Sequence, residues 1–177
     1  DLAGWRSPTG EWLVAQAVKL DATSPEKLLL EPGTGVMVNG AKGRSVDMIT
    51  TEEFGDVQRH VECCIPRHSN SGVYLMGRYE VQILDSFGKE GKNNEFGGLY
   101  SVKEPDVNMS VPPLTWQTFD IEYRIDNGPY RVVRTHWTGH SFTLTSRARG
   151  HTYYLAVRTR DRAGYVSPWT TAHVTVP

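Results

Sequence analysis

The chain has 177 residues, 38% of them hydrophobic, and a formal net charge of −1. That length accommodates one good domain or two small ones. No run approaches the roughly 20 apolar residues of a membrane helix, so no membrane partner is expected. Charge is unevenly placed. Residues 1–122 hold 11 Lys and Arg against 18 Asp and Glu, whereas residues 123–177 hold 8 Arg, no Lys and 2 Asp. Such a step points to two segments of different character. The tail arginines alternate with apolar residues rather than cluster. They read as solvent faces of strands, and no nucleic-acid partner is expected.

In chain order, strand signals dominate and long helical periodicity is absent. The predicted strands of the first part are Glu11–Val18, Gly35–Val38, Val46–Thr50, Asp56–Ile65, Gly72–Leu84, Gly97–Val102 and Thr115–Ile125. The tail adds Tyr130–His136, Ser141–Thr145, Thr152–Arg160 and Thr170–Val176. Turns are expected at Glu31-Pro32-Gly33, Asn39-Gly40, Asp126-Asn127-Gly128 and Ala163-Gly164. One short helix is predicted around Ser24–Leu29, with Ser24 as N-cap and Pro25 in the first position. Ser86–Gly98 is rich in Gly, Lys, Asn and Glu, and reads as a long mobile loop. Many short strands with regular turns predict an all-β sandwich.

Cys63 and Cys64 are adjacent and point to opposite faces of a strand, so they cannot join two distant segments. Two small hydrophobes is the better reading. No metal-ligand spacing is found, and no metal or cofactor is expected.

Within 70–86, one parity runs Val73, Leu75, Gly77, Tyr79, Val81, Ile83 and the other Tyr74, Met76, Arg78, Glu80, Gln82. The first is a core face. The second is either ordinary solvated surface or the floor of a site.

Residues 1–122 resemble the 3-keto-disaccharide hydrolase family, a concanavalin-like jelly roll among sugar-processing enzymes. The matching pieces include Asp1-Leu2-Ala3-Gly4-Trp5, Asp47-Met48-Ile49-Thr50 and the run from Asn70-Ser71-Gly72-Val73-Tyr74 through Tyr79-Glu80-Val81-Gln82-Ile83-Leu84-Asp85-Ser86. Gly97-Gly98-Leu99-Tyr100, Asn108 and Trp116-Gln117-Thr118-Phe119-Asp120-Ile121 follow in order. An HNG-like strand and a DHG-like motif, which the resemblance leads one to expect further on, are not found in residues 123–177. That tail resembles the second half of a bacterial fibronectin type III domain. Ser141-Phe142-Thr143-Leu144, Tyr153-Tyr154-Leu155-Ala156-Val157 and Asp161-Arg162-Ala163-Gly164-Tyr165 carry the likeness.

The two resemblances imply a partial sugar-hydrolase-like domain over 1–122 and a partial fibronectin-like segment over 123–177, packed as one hybrid sandwich. An exchanged homodimer is the alternative. They also imply a carbohydrate partner and a secreted or periplasmic bacterial protein. Sugars need planar polar groups for their hydroxyls and aromatic rings for their CH faces. The expected catalytic set is Glu80 as acid or base, Arg78 as donor to an oxyanion, and Glu62, on the neighbouring predicted strand, as a second carboxylate. Gln82, Tyr74 and Asn108 are expected to bind hydroxyls. Asp85 is expected to cap the turn after its strand.

Overall fold

The computed structural model describes residues 2–40, 45–54, 57–75, 77–92, 94–126, 150–160 and 165–175. Two of the predicted strands, Tyr130–His136 and Ser141–Thr145, lie outside them. Among the described residues the fold is all-β, with no helix. The strands are β1 (Trp12–Leu20), β2 (Leu28–Asn39), β3 (Val57–Cys64), β4 (Asn70–Leu75), β5 (Tyr79–Leu84), β6 (Trp116–Ile125), β7 (Thr152–Arg160) and β8 (Thr170–Thr175). Sheet order is β3-β6-β7-β8, with two-stranded β1-β2 and β4-β5.

Alternation builds the sandwich. Val57, Val61 and Cys63 of β3, Phe119 and Ile121 of β6, and Tyr153, Leu155 and Val157 of β7 face one core. Val73, Leu75, Tyr79, Val81 and Ile83 of the β4–β5 hairpin enter the same core. Phe96 closes it, its ring edge-on to Phe119 at 5.6 Å between centroids. A fully buried ring of this size contributes on the order of 2–3 kcal/mol by transfer alone. Trp12, Met37 and Met48 form a small second cluster under β1–β2. The indole N–H of Trp12 donates to the Val46 carbonyl at 2.8 Å.

The tail strands do not form a separate sheet. β7 pairs along β6, with Ile121 opposite Val157, and β8 pairs along β7.

Six expectations are corrected. Val46–Thr50 and Gly97–Val102 are not strands but hold only isolated bridges, at Thr50 and at Leu99. Ser24–Leu29 is not a helix: Asp21–Lys27 is a pair of turns, with Asp21 accepting from the Thr23 amide and hydroxyl, and Leu28 already belongs to β2. Leu28, Leu29 and Leu30 find cross-strand partners in Leu20, Lys19 and Val18, which outweighs the local capping signal. Glu31-Pro32-Gly33 is not a chain reversal, because β2 runs through it beside a bulge between Ala15 and Ala17. Proline is tolerated at such a bulge because a ladder bond is already missing there.

Gly72–Leu84 is not one strand but a hairpin turning at Gly77-Arg78. The Arg78 amide donates to the Leu75 carbonyl at 3.0 Å, and Gly77 takes the left-handed conformation at φ 60°. The register pairs Tyr74 with Glu80, Gly72 with Gln82 and Val73 with Val81. Even residues therefore face even residues, and the parity survives the reversal.

Ser86–Gly98 is anchored rather than free. Buried Ser86 donates to Glu95 and accepts from the Phe96 amide, and Glu95 to Gly98 are buried. Gly97 and Gly98 then bond to both backbone groups of Gln82, and the Tyr100 amide donates to the Glu80 carbonyl at 2.9 Å.

Candidate active site

The site is set by the even face of the β4–β5 hairpin. Tyr74 and Glu80 are cross-strand partners, and the phenol donates to Glu80 Oε2 at 2.8 Å. Gly72 makes room for that carboxylate. A Cβ built on Gly72 would stand 2.7 Å from Glu80 Cγ, closer than any real contact. Burial of Glu80 pushes its carboxyl above the ordinary range, the Tyr74 hydrogen bond partly opposes that, and the negative charge of Asp47 adds to it. Burial, the hydrogen bond to Glu80 and the Glu80 charge push the Tyr74 phenol up to about 12, with smaller contributions from Asp47 and Tyr100. Tyr74 therefore remains a neutral donor at physiological pH.

The predicted residues divide. Tyr74, Glu80 and Gln82 share the face as expected. Gln82 is buried beneath the returning segment: its Nε2 donates to the Asn94 carbonyl at 3.3 Å, and its Oε1 is buried with no partner among the described residues. Arg78 is exposed in the hairpin turn rather than set in the strand.

Glu62 is not brought to Glu80. Its strand pairs with β6, Glu62 standing opposite Thr118, and its carboxylate lies 3.6 Å from His60 Nε2. The even side chains of β3 face away from the common core. His60 Nδ1 in turn meets Asp120 at 2.7 Å, and Arg158 Nε holds the other Asp120 oxygen at 2.9 Å.

Asn108 serves the loop: its amide donates to the Ser86 and Lys89 carbonyls, and its oxygen accepts from the Ser110 amide and hydroxyl. No group of that side chain is left for a sugar hydroxyl. Asp85 accepts from the His68 amide at 3.0 Å in the turn between β3 and β4. Both cysteines are free thiols, Cys63 buried and Cys64 half-buried, and burial raises both, Cys64 to about 11.

Three residues of this site had no role assigned from the sequence. Asp47 acts on Glu80 and Tyr74 by its charge, and Tyr100 acts on Tyr74. Gly72 supplies the space. All three lie in stretches that carry the family likeness, DMIT, GGLY and NSGVY, which was the available signal.

A hairpin of a β-sandwich that presents a raised carboxyl beside a neutral phenol carries the groups that proton transfer requires. Residues 1–147 match the family described as the 3-keto-alpha-glucoside-1,2-lyase-like domain. The chain belongs to that family. The match runs beyond Glu122, where the resemblance of the sequence pattern ends. The chain is also similar to the crystal structure of a "putative glycosyl hydrolase" from Parabacteroides distasonis, at 23% identity and a TM-score of 0.59. That likeness, which is one of fold, covers 99% of this chain and 62% of the other. The chain thus spans less than two thirds of the length of that protein. No curated protein matches it.

Proposed function

We propose that the chain processes 3-keto-glycosides by elimination across C1 and C2, with Glu80 as the base. The single observation that carries the reading is the Tyr74–Glu80 pair, a half-buried carboxylate with one oxygen held by a phenol. A ketone at C3 acidifies the C2 hydrogen. Glu80 takes that proton through Oε1, the oxygen that Tyr74 does not hold. The C2–H electron pair passes into the C3 enolate, then forms the C1–C2 double bond as the ketone is restored and the C1–O bond breaks with its electrons leaving on the aglycone oxygen. That oxygen collects a proton, and water then adds to the alkene to complete hydrolysis.

Each side chain has a task. The raised basicity of Glu80 matches a carbon acid better than an ordinary surface carboxylate does. Arg78, exposed at the hairpin tip and in no ion pair among the described residues, is the candidate donor to the enolate oxygen at C3. The Tyr100 ring is a candidate contact for the sugar, whereas Gln82 is buried beneath the returning segment and supports the site from below. Glu62 has no part, for it stands on another face.

The tail completes the fold in this reading. Its strands β7 and β8 extend the sheet that β3 and β6 begin, which supports one hybrid sandwich rather than two domains. A non-catalytic carbohydrate-binding module is the second reading. The observation favouring it is that Glu62 does not reach Glu80, which leaves the aglycone oxygen without an assigned acid. Product release from a panel of 3-keto-disaccharides, with Glu80→Gln beside the parent, separates the two. Turnover lost in the variant supports the elimination. Sugar binding by the parent without turnover supports the module.

A further inference from the structure

Away from Glu80, the β1–β2 ribbon stands off from the β3–β4 arch and leaves a cleft of about 860 Å³. Small-molecule sites commonly span about 300–1,000 Å³. Neither Tyr74 nor Glu80 lines it. Its apolar wall includes Leu30, Val36 and the indole of Trp116, which is 39% exposed. Its polar groups include Asn39, Asn70 and Ser71.

The walls are fixed. The Arg67 amide donates to the Pro25 carbonyl at 3.0 Å, tying the arch to the β1–β2 connection. His68 meets Glu26 across the same gap at 3.0 Å, and Ser69 Oγ closes the arch on Pro66 at 2.8 Å.

We infer that this cleft is a second binding site, separate from the Glu80 site, and that it takes a neutral sugar ring stacked on Trp116. Three observations converge on that class of ligand. An exposed indole in a cleft offers a flat apolar surface to the CH face of a pyranose. Asn39 Oδ1 is buried in this wall with no partner among the described residues, an acceptor that a hydroxyl reaching into the wall would satisfy. The acidic and basic lining side chains balance, Glu26 and Glu62 against Lys27 and Arg67, so the cleft selects neither an anion nor a cation. An amphipathic, uncharged, hydroxyl-rich molecule satisfies all three.

The test is calorimetric titration with cellobiose and maltose, neither of which carries the keto group that the Glu80 chemistry requires. The parent, Trp116→Ala, Trp116→Phe, Asn39→Leu and Glu80→Gln are compared, each checked for folding by circular dichroism. Binding is expected to weaken about tenfold or more in W116A and N39L, and to survive in W116F and E80Q. Binding lost in E80Q but kept in W116A would place the sugar at the hairpin and overturn the inference. So would binding of neither disaccharide by the parent. So would Trp116-dependent binding of 1-octanol without binding of sugar, which would make the cleft a lipid pocket. Loss of keto-glycoside turnover in E80Q is read separately, so failure of one site is not confused with failure of the other.

Discussion

Tyr74 and Glu80 stand directly opposite one another on the two arms of a hairpin, joined by a 2.8 Å hydrogen bond from phenol to carboxylate. The pair defines the chemistry: one carboxylate oxygen is held, and the other remains above Gly72.

Glu80→Gln is expected to lower turnover on a 3-keto-glycoside by about 100-fold or more, the ordinary worth of a positioned base, while substrate affinity changes little. Its effect on stability has the opposite sign. The folded carboxyl titrates above its unfolded value, so its contribution is present below the ordinary value of 4.5 and is lost as pH rises through the folded value. At neutral pH the glutamine variant is expected to melt no lower than the parent. Melting curves at pH 4 and pH 7 check this.

Tyr74→Phe removes the hydrogen bond that lowers the Glu80 pKa. The acidic limb of the pH–rate profile is therefore expected to move to higher pH. A base must be ionised to act, and its ionisation is delayed. An unmoved limb would show that Glu80 is not the titrating base.

Gly72→Ala is expected to abolish most turnover by displacing Glu80, since the new Cβ meets Glu80 Cγ at 2.7 Å. The same substitution placed on Glu80→Ala is expected to cost much less stability than it does alone. The difference is a coupling energy, within about 0.5–3 kcal/mol for residues in contact, and a double-mutant cycle in urea reads it.

Asp120→Asn tests the outer row of the large sheet. Burial alone would raise the Asp120 carboxyl, but the hydrogen bonds and charges of His60 and Arg158 outweigh it and hold the group below its ordinary value. Its stabilisation is present above the ordinary carboxyl value of 3.8 and is lost as pH falls through the lower folded value. The variant is expected to be about 1–3 kcal/mol less stable at neutral pH, with the gap to the parent closing below about pH 4. Denaturant melts across that range decide it. Turnover is expected to be unaffected, because this row lies away from Glu80.

The core of the hairpin was legible from residue order. Val73, Leu75, Tyr79, Val81 and Ile83 alternate because a strand sends successive side chains to opposite faces, and an odd-numbered turn preserved that alternation. For the same reason Tyr74, Glu80 and Gln82 could be placed together without knowing that the chain reverses between them. The position of Arg78 could not, because parity does not distinguish a turn residue from a strand residue. The strands β3, β6, β7 and β8 were each predicted within about two residues, the usual uncertainty of strand ends.

What only the tertiary structure decided is which strands are neighbours. Pairing Glu62 with Glu80 required β3 to lie beside the hairpin, whereas β3 bonds to β6 and meets the hairpin through the core. Asn108 has the chemistry of a sugar ligand, but four loop hydrogen bonds consume it: two to neighbouring Ser110, and two to Ser86 and Lys89, 22 and 19 residues away. The proximity of Asp47 and Tyr100 to the carboxylate likewise depends on chain return. Local side-chain chemistry and alternation fix which residues can share a face. Backbone pairing between segments far apart in the chain fixes which faces meet, and no local pattern encodes that choice.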